Sequence, residues 1–175
     1  QEILVGTASR FSERELVGNC GDCHGEMRAH GNLRTNIQDC VLCHTFGAED
    51  RFSSTDPTVT PDTSIEWGIM IHKMHYGVGL TKPYDIAGYP ANPNGVIIPD
   101  HNLHNFDHTV NPRFDGGAGN CRACHLDDSH QKTSTVICAS CHDDDQSAAH
   151  MALSTDPNFG ESCEVCHGSG KLDSV

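Results

Sequence analysis

The sequence is poor in the residues that build a protein interior. Leu, Ile, Val and Phe make up about 19% of its 175 positions, and there is a single Trp. Long hydrophobic runs are missing, the longest apolar stretches being as short as Ile69-Met70-Ile71 or Val96-Ile97-Ile98. A helix that crosses a bilayer needs about 20 apolar residues in a row, so no transmembrane segment is expected. Positive charge is scarce as well: 11 Lys and Arg face 24 Asp and Glu, for a net charge of −13. Nothing in such a chain would track phosphates, which excludes a nucleic-acid partner. A thin apolar complement with a large net charge is the composition of intrinsically disordered chains. The polypeptide alone is not expected to fold.

What the sequence has instead is 10 Cys and 13 His. Every cysteine lies in a Cys-x-x-Cys pair, and every pair is followed at once by His. The runs are Cys20-Gly-Asp-Cys23-His24, Cys40-Val-Leu-Cys43-His44, Cys121-Arg-Ala-Cys124-His125, Cys138-Ala-Ser-Cys141-His142 and Cys163-Glu-Val-Cys166-His167. Disulfides would account for the cysteines but not for a histidine after each pair. Structural zinc sites combine pairs of pairs, and five pairs leave one over. Covalent haem c accounts for both features: two thioethers anchor the vinyl groups, and the adjacent imidazole takes one axial position on iron. Five covalently attached haems c are therefore expected, with His24, His44, His125, His142 and His167 as proximal ligands.

The motifs are unevenly spread, two near the N-terminus and three near the C-terminus. Residues 45–120 lack an attachment site yet carry the only Trp and all three Tyr, so this interval is expected to pack on porphyrin and to supply ligands. Eight histidines remain for the second axial positions: His30, His72, His75, His101, His104, His108, His130 and His150. Five are needed for a full bis-histidine set. Met27, Met70, Met74 and Met151 are alternative ligands, which would raise the potential of the haem concerned, or simply fill gaps against porphyrin edges.

The segment from Asp62 to Gly77 predicts a helix over 64–76, capped by Asp62 or Ser64 and ended by Gly77 and Gly79. Ile65, Ile69, His72 and Tyr76 share one face of it. His75 projects from nearly the same side as His72, so the two are expected to serve two neighbouring haems rather than one. His30 stands before Gly31 in a turn-like stretch, and His150 follows Ser147-Ala-Ala on a short helical turn. One of His101, His104 and His108 is expected to ligate. His130, in a polar loop, is the first candidate for a bystander. The acidic runs Asp127-Asp128 and Asp143-Asp-Asp145 read as solvated loops that maintain solubility. Neither has EF-hand spacing, so calcium is a secondary reading.

Several of these elements carry a resemblance. Met70-Ile-His-Lys-Met-His-Tyr-Gly77, Tyr84-Asp-Ile-Ala-Gly-Tyr89, His104-Asn-Phe106, Cys138-Ala-Ser-Cys-His-Asp143, Ala149-His-Met151 and Cys163-Glu-Val-Cys-His-Gly168, in that order with the motifs, resemble the pentahaem modules of the OmcA/MtrC family of outer-surface multihaem cytochromes. The likeness runs from Cys20 to Gly168. It implies His30, His72, His75, His104 and His150 as the distal set, with His108 in reserve for His104. Members of that family commonly carry two such modules separated by strand-rich domains, and a lipidated N-terminal cysteine. One module and no spare cysteine are present here, which is the expectation for a stand-alone unit or a fragment.

The expected fold is mostly irregular with short α-helices and little or no β-sheet, a multihaem cytochrome c fold built around five haems. Residues 1–19 are expected to form a haem-free arm, 20–168 a single pentahaem domain and 169–175 a tail. Iron with two histidine ligands has no open position, so the expected function is electron transfer, with other redox proteins or extracellular electron acceptors as partners. A homopolymer in the form of a conductive filament is compatible with it. The rival reading is a multihaem reductase with one open-coordinate haem. Haem propionates would take the charge to about −18, which disfavours acidic partners at low salt. Haem c attachment takes place outside the cytoplasm, so the protein is expected to be exported, to the cell surface or beyond on the resemblance, otherwise to the periplasm. The absence of a signal-peptide pattern after Gln1 fits a processed chain.

Overall fold

The computed structural model describes residues 18, 20–50, 63–87, 103–110, 120–132 and 134–171. The expected N-terminal arm lies outside them except for Gly18, as do His101 and residues 172–175 of the expected tail. Elements are short throughout. Helices α1 (Cys20–His24), α2 (Trp67–Tyr76), α3 (Thr135–Cys138), α4 (Asp145–Leu153) and α5 (Glu164–His167) are joined by 3-10 turns and irregular chain. Strands β1 (Asp85–Ala87) and β2 (Leu103–Asn105) form one antiparallel pair; β3 (Thr155–Asp156) and β4 (Gly160–Glu161) form another. The fold class is the expected one, mostly irregular with short helices and two small two-stranded sheets.

The apolar interior is as thin as the composition implies. Among the described residues, Met70 and Tyr84 are the buried hydrophobic side chains. Large apolar groups stand exposed instead, including Leu33, Leu42, Phe46, Leu126, Leu153, Phe159 and Val165. Hydrogen bonds over long sequence distances hold the segments together. The Tyr84 hydroxyl donates to the Ser64 carbonyl at 2.7 Å, and Lys73 Nζ stands 5.5 Å from the centre of the Tyr84 ring.

Helix α2 is the longest element and the hub of the fold. It begins at Trp67, not at residue 64. Residues 63–65 are extended because they pair with 48–50: Asp50 N–H donates to Thr63 O at 3.0 Å and Ile65 N–H to Ala48 O at 2.8 Å. Ser64, expected as a cap, lies in that bridge, and Asp62 lies outside the described residues. Near its start the helix meets Ile137 of α3, whose Cδ1 would lie 2.9 Å from a Cβ at Gly68. At its end Gly77 adopts φ +47° with ψ −115°, a conformation closed to other residues. A Cβ there would also strike the Thr109 carbonyl, which accepts a hydrogen bond from Val78 N–H at 3.1 Å. The end of α2 is thereby fastened to the segment that follows β2.

Candidate functional site

Each Cys-x-x-Cys-His run folds as one helical turn. In the motifs ending at His44, His125, His142 and His167 the histidine N–H donates to the carbonyl of the first cysteine at 2.9 Å, and α1 is itself the fifth such turn. Cysteines three apart on a helical turn share a face, with the histidine beside the first one a turn later. None of the ten cysteines is paired in a disulfide. Burial pushes the Cys141 thiol up to about 11 and raises those of Cys40 and Cys124.

Four of the five motif histidines face a histidine from another segment. His24 lies 6.0 Å from His75 between ring centroids, His44 6.1 Å from His30, His125 6.1 Å from His72, and His167 6.1 Å from His150. The separation is informative. An imidazole nitrogen binds a transition metal at about 2.0 Å and lies about 1.1 Å from its ring centre, so two imidazoles on opposite faces of one metal have centroids ~6.2 Å apart. The residues present therefore fit iron held between paired imidazoles. Exposed Leu42, Val165 and Leu126, within or beside three motifs, are apolar surface suited to a porphyrin.

Local structure explains how each partner is presented. His30 (φ 50°), Gly31 (φ 67°) and Asn32 (φ 68°) form a left-handed turn closed by the Ala29–Arg34 bridge, which puts His30 at its tip. His72 and His75 lie on α2, and each places Nδ1 within hydrogen-bonding distance of the carbonyl four residues back: Gly68 O at 2.6 Å and Ile71 O at 2.8 Å. His44 Nδ1 lies 2.7 Å from Ile65 O, with the Trp67 ring beside it at 6.2 Å. An Nδ1–H committed to a carbonyl fixes the tautomer and leaves Nε2 to bind metal. His150 lies on α4, capped by Asp144, whose carboxylate accepts from Gln146 N–H and Ser147 N–H. The β3–β4 hairpin then turns the chain back so that α5 brings His167 to it.

His125 is half-buried, and burial holds it below the usual histidine range, with His72 and His130 pushing the same way. The shift favours the neutral ring, the form that binds metal. His130, a surplus histidine by sequence, lies 6.0 Å from His125. The sequence carried no signal for this placement, which depends on Asp127 capping the turn Asp128–Gln131.

The structure brings no histidine ring to His142 among the described residues. His104, on β2 opposite Ile86, and His108, whose Nδ1 lies 2.9 Å from Asn105 Oδ1, are both exposed. A different contact connects this motif to their hairpin. Asp143 is buried, and its carboxylate accepts from Thr81 N–H, Thr81 Oγ1–H and Lys82 N–H, each at 2.9 Å. The acidic run is thus no solvated loop: Asp143 anchors the irregular chain leading into β1, Asp144 caps α4, and Asp145 pairs with exposed Lys82 at 2.9 Å. Burial pushes the Asp143 carboxyl up, but the three donors outweigh it and hold its pKa below the ordinary 3.8. Its contribution to stability is therefore present above the unfolded-state pKa and lost as pH falls through the lowered folded value. Asp143→Ala is expected to cost about 1–3 kcal/mol in denaturant unfolding of the haem-loaded protein and to remove that acid-range component of the loss of stability.

The family model for outer membrane cytochrome MtrC/MtrF-like, domains II/IV, matches residues 16–175. The chain belongs to that family of cytochromes. A cytochrome of this kind holds covalently bound haem c, and the cysteine turns and paired histidines fit that group. The crystal structure of the outer membrane decaheme cytochrome OmcA matches with a TM-score of 0.56 and 23% sequence identity, over 91% of this chain and 22% of that one. The likeness is one of fold, and the cytochrome domain described here spans about a fifth of OmcA's length. No curated protein sequence matches it. No helix among the described residues is long and apolar enough to cross a membrane.

Proposed function

We propose that the chain carries five haems c and passes electrons between them as part of an exported, extracellular respiratory relay. The observation that carries the proposal is the set of four histidine pairs at 6.0–6.1 Å, each joining a motif histidine to one from another segment. In this reading His30, His72, His75 and His150 are the distal ligands of the haems whose proximal ligands are His44, His125, His24 and His167. His104 serves the haem at His142, the Asp143 contact with residues 81–82 holding its hairpin to that motif, and His108 is its reserve.

Bound haem supplies reversible one-electron exchange at iron. The polypeptide's part is to fill both axial positions, so that no substrate binds, and to set the spacing. His72 and His75, one helical turn apart, tie two haems to one rigid element. A compact chain of this length has a radius of gyration of about 16 Å, so five macrocycles within it are near neighbours. Acceptors are other redox proteins or extracellular electron acceptors. The proposal concerns a relay within one chain and does not extend to a homopolymer.

The test is spectroscopic. Oxidised protein is expected to show low-spin ferric haem alone, and reduced protein is expected not to bind carbon monoxide. Ring planes near perpendicular in His24–His75 (90°) and His150–His167 (89°), against 12° in His72–His125 and 31° in His30–His44, should give at least two classes of low-spin signal in electron paramagnetic resonance. A high-spin centre that binds carbon monoxide would contradict the proposal and favour a reductase.

A further inference from the structure

Three histidines meet where a haem has room for two. The ring of His125 has His72 at 6.1 Å with planes 12° apart, and His130 at 6.0 Å with planes 41° apart. The two neighbours come from different elements. His72 is carried by α2, while His130 lies in the 3-10 turn Asp128–Gln131, with Nδ1 2.9 Å from Asp127 O. Both therefore commit Nδ1 to a carbonyl and leave Nε2 for metal. The turn that carries His130 also orients His125, because the Ser129 hydroxyl lies 2.9 Å from His125 Nδ1. His130 is thus placed relative to His125 by its own neighbours in sequence, independently of α2.

A planar macrocycle leaves two axial positions, one taken by His125, so His72 and His130 cannot both bind. We propose that His130 is a reserve axial ligand for the haem attached at Cys121 and Cys124, taking the sixth position when His72 leaves it. The proposal rests on the reading that His125 and His72 are that haem's ligands. In the exchange the Fe–Nε2 bond to His72 breaks and one to His130 forms. Both imidazoles are neutral, so no electron or proton is gained or lost. Helix α2 carries ligands for two haems, and its displacement would otherwise open two irons to small molecules. His130 keeps one of them closed and low-spin while changing its ligand geometry.

The experiment compares His72→Ala, His130→Ala and the double variant as haem-loaded proteins, by electron paramagnetic resonance and by carbon monoxide titration of the reduced form. His130→Ala is expected to leave the spectra unchanged. His72→Ala should stay entirely low-spin and bind no carbon monoxide, with one low-spin signal shifted. The double variant should show one high-spin haem and bind about one carbon monoxide per chain. Uptake of carbon monoxide by His72→Ala alone overturns the proposal, as does uptake by His130→Ala. A His72→Ala protein with no spectral change overturns instead the reading that His72 is a ligand, and the proposal with it. Should the double variant fail to assemble, His72→Ala still decides the matter, since its shifted signal without carbon monoxide uptake is the mark of a replacement ligand, and His72→Ala with His130→Gln repeats the double test conservatively.

Discussion

Produced without attached haem, the chain is expected to be unfolded: random-coil circular dichroism, collapsed amide dispersion in its NMR spectrum, and digestion by protease within the time in which the loaded protein stays intact. Ordering a residue costs roughly 1–2 kcal/mol of backbone entropy, and burial of a large apolar side chain returns about 1.5–3 kcal/mol. Met70 and Tyr84 are the buried hydrophobic side chains among the described residues, and many others of that class are exposed. Helices of four, five, nine and ten residues lie below the length at which helices persist alone. The described residues thus offer no apolar burial large enough to offset their ordering. On the proposed reading five porphyrins with their thioethers and axial bonds supply it, and so acidic and apolar-poor a chain gains a fold from them. A compact, protease-resistant haem-free form would contradict this.

His75→Met is expected to move one haem of the loaded protein to a more positive midpoint potential, by on the order of a hundred millivolts within the ~0.8 V that axial ligands span. Thioether sulfur is a weaker donor than imidazole and stabilises ferrous iron relative to ferric. The position is chosen because the His75 ring lies 6.0 Å from His24 and is fixed by its Nδ1 contact with Ile71 O at 2.8 Å, on the most regular helix of the chain. A relay of near-isopotential haems would acquire a trap at that point, so reduction of the remaining haems by a donor should slow as well. Potentiometric titration of the five centres checks the shift. If no centre moves, His75 is not a ligand.

The cofactor chemistry was legible in the sequence because it is written locally. Two cysteines three apart with a histidine next to them need one helical turn, and that turn is what each motif forms. Helix α2 and the placing of His72 and His75 on it were legible for the same reason. Less local features were not. Residues 64–66 have helical spacing, yet pairing with 48–50 draws them into extended chain, and no periodicity signals a partner fifteen residues away. Asp143 reads as one of three solvated acids until Thr81 and Lys82, 62 and 61 residues distant, are brought to it. His130 reads as a loop residue because nothing in sequence shows that Asp127 and Ser129 turn the chain back onto His125. Long-range backbone capture by side chains, rather than hydrophobic pattern, organises this fold, and it leaves no periodic trace.

On the proposed function this polypeptide is a casing for five covalently held haems, one for each Cys-x-x-Cys-His run. Intact mass spectrometry of the purified, fully denatured protein tests it most directly, since axial bonds are lost on unfolding and thioethers are not. A single species with the mass of the chain plus five haems is expected; a mass with fewer haems, or haem shed on denaturation, would contradict the proposal.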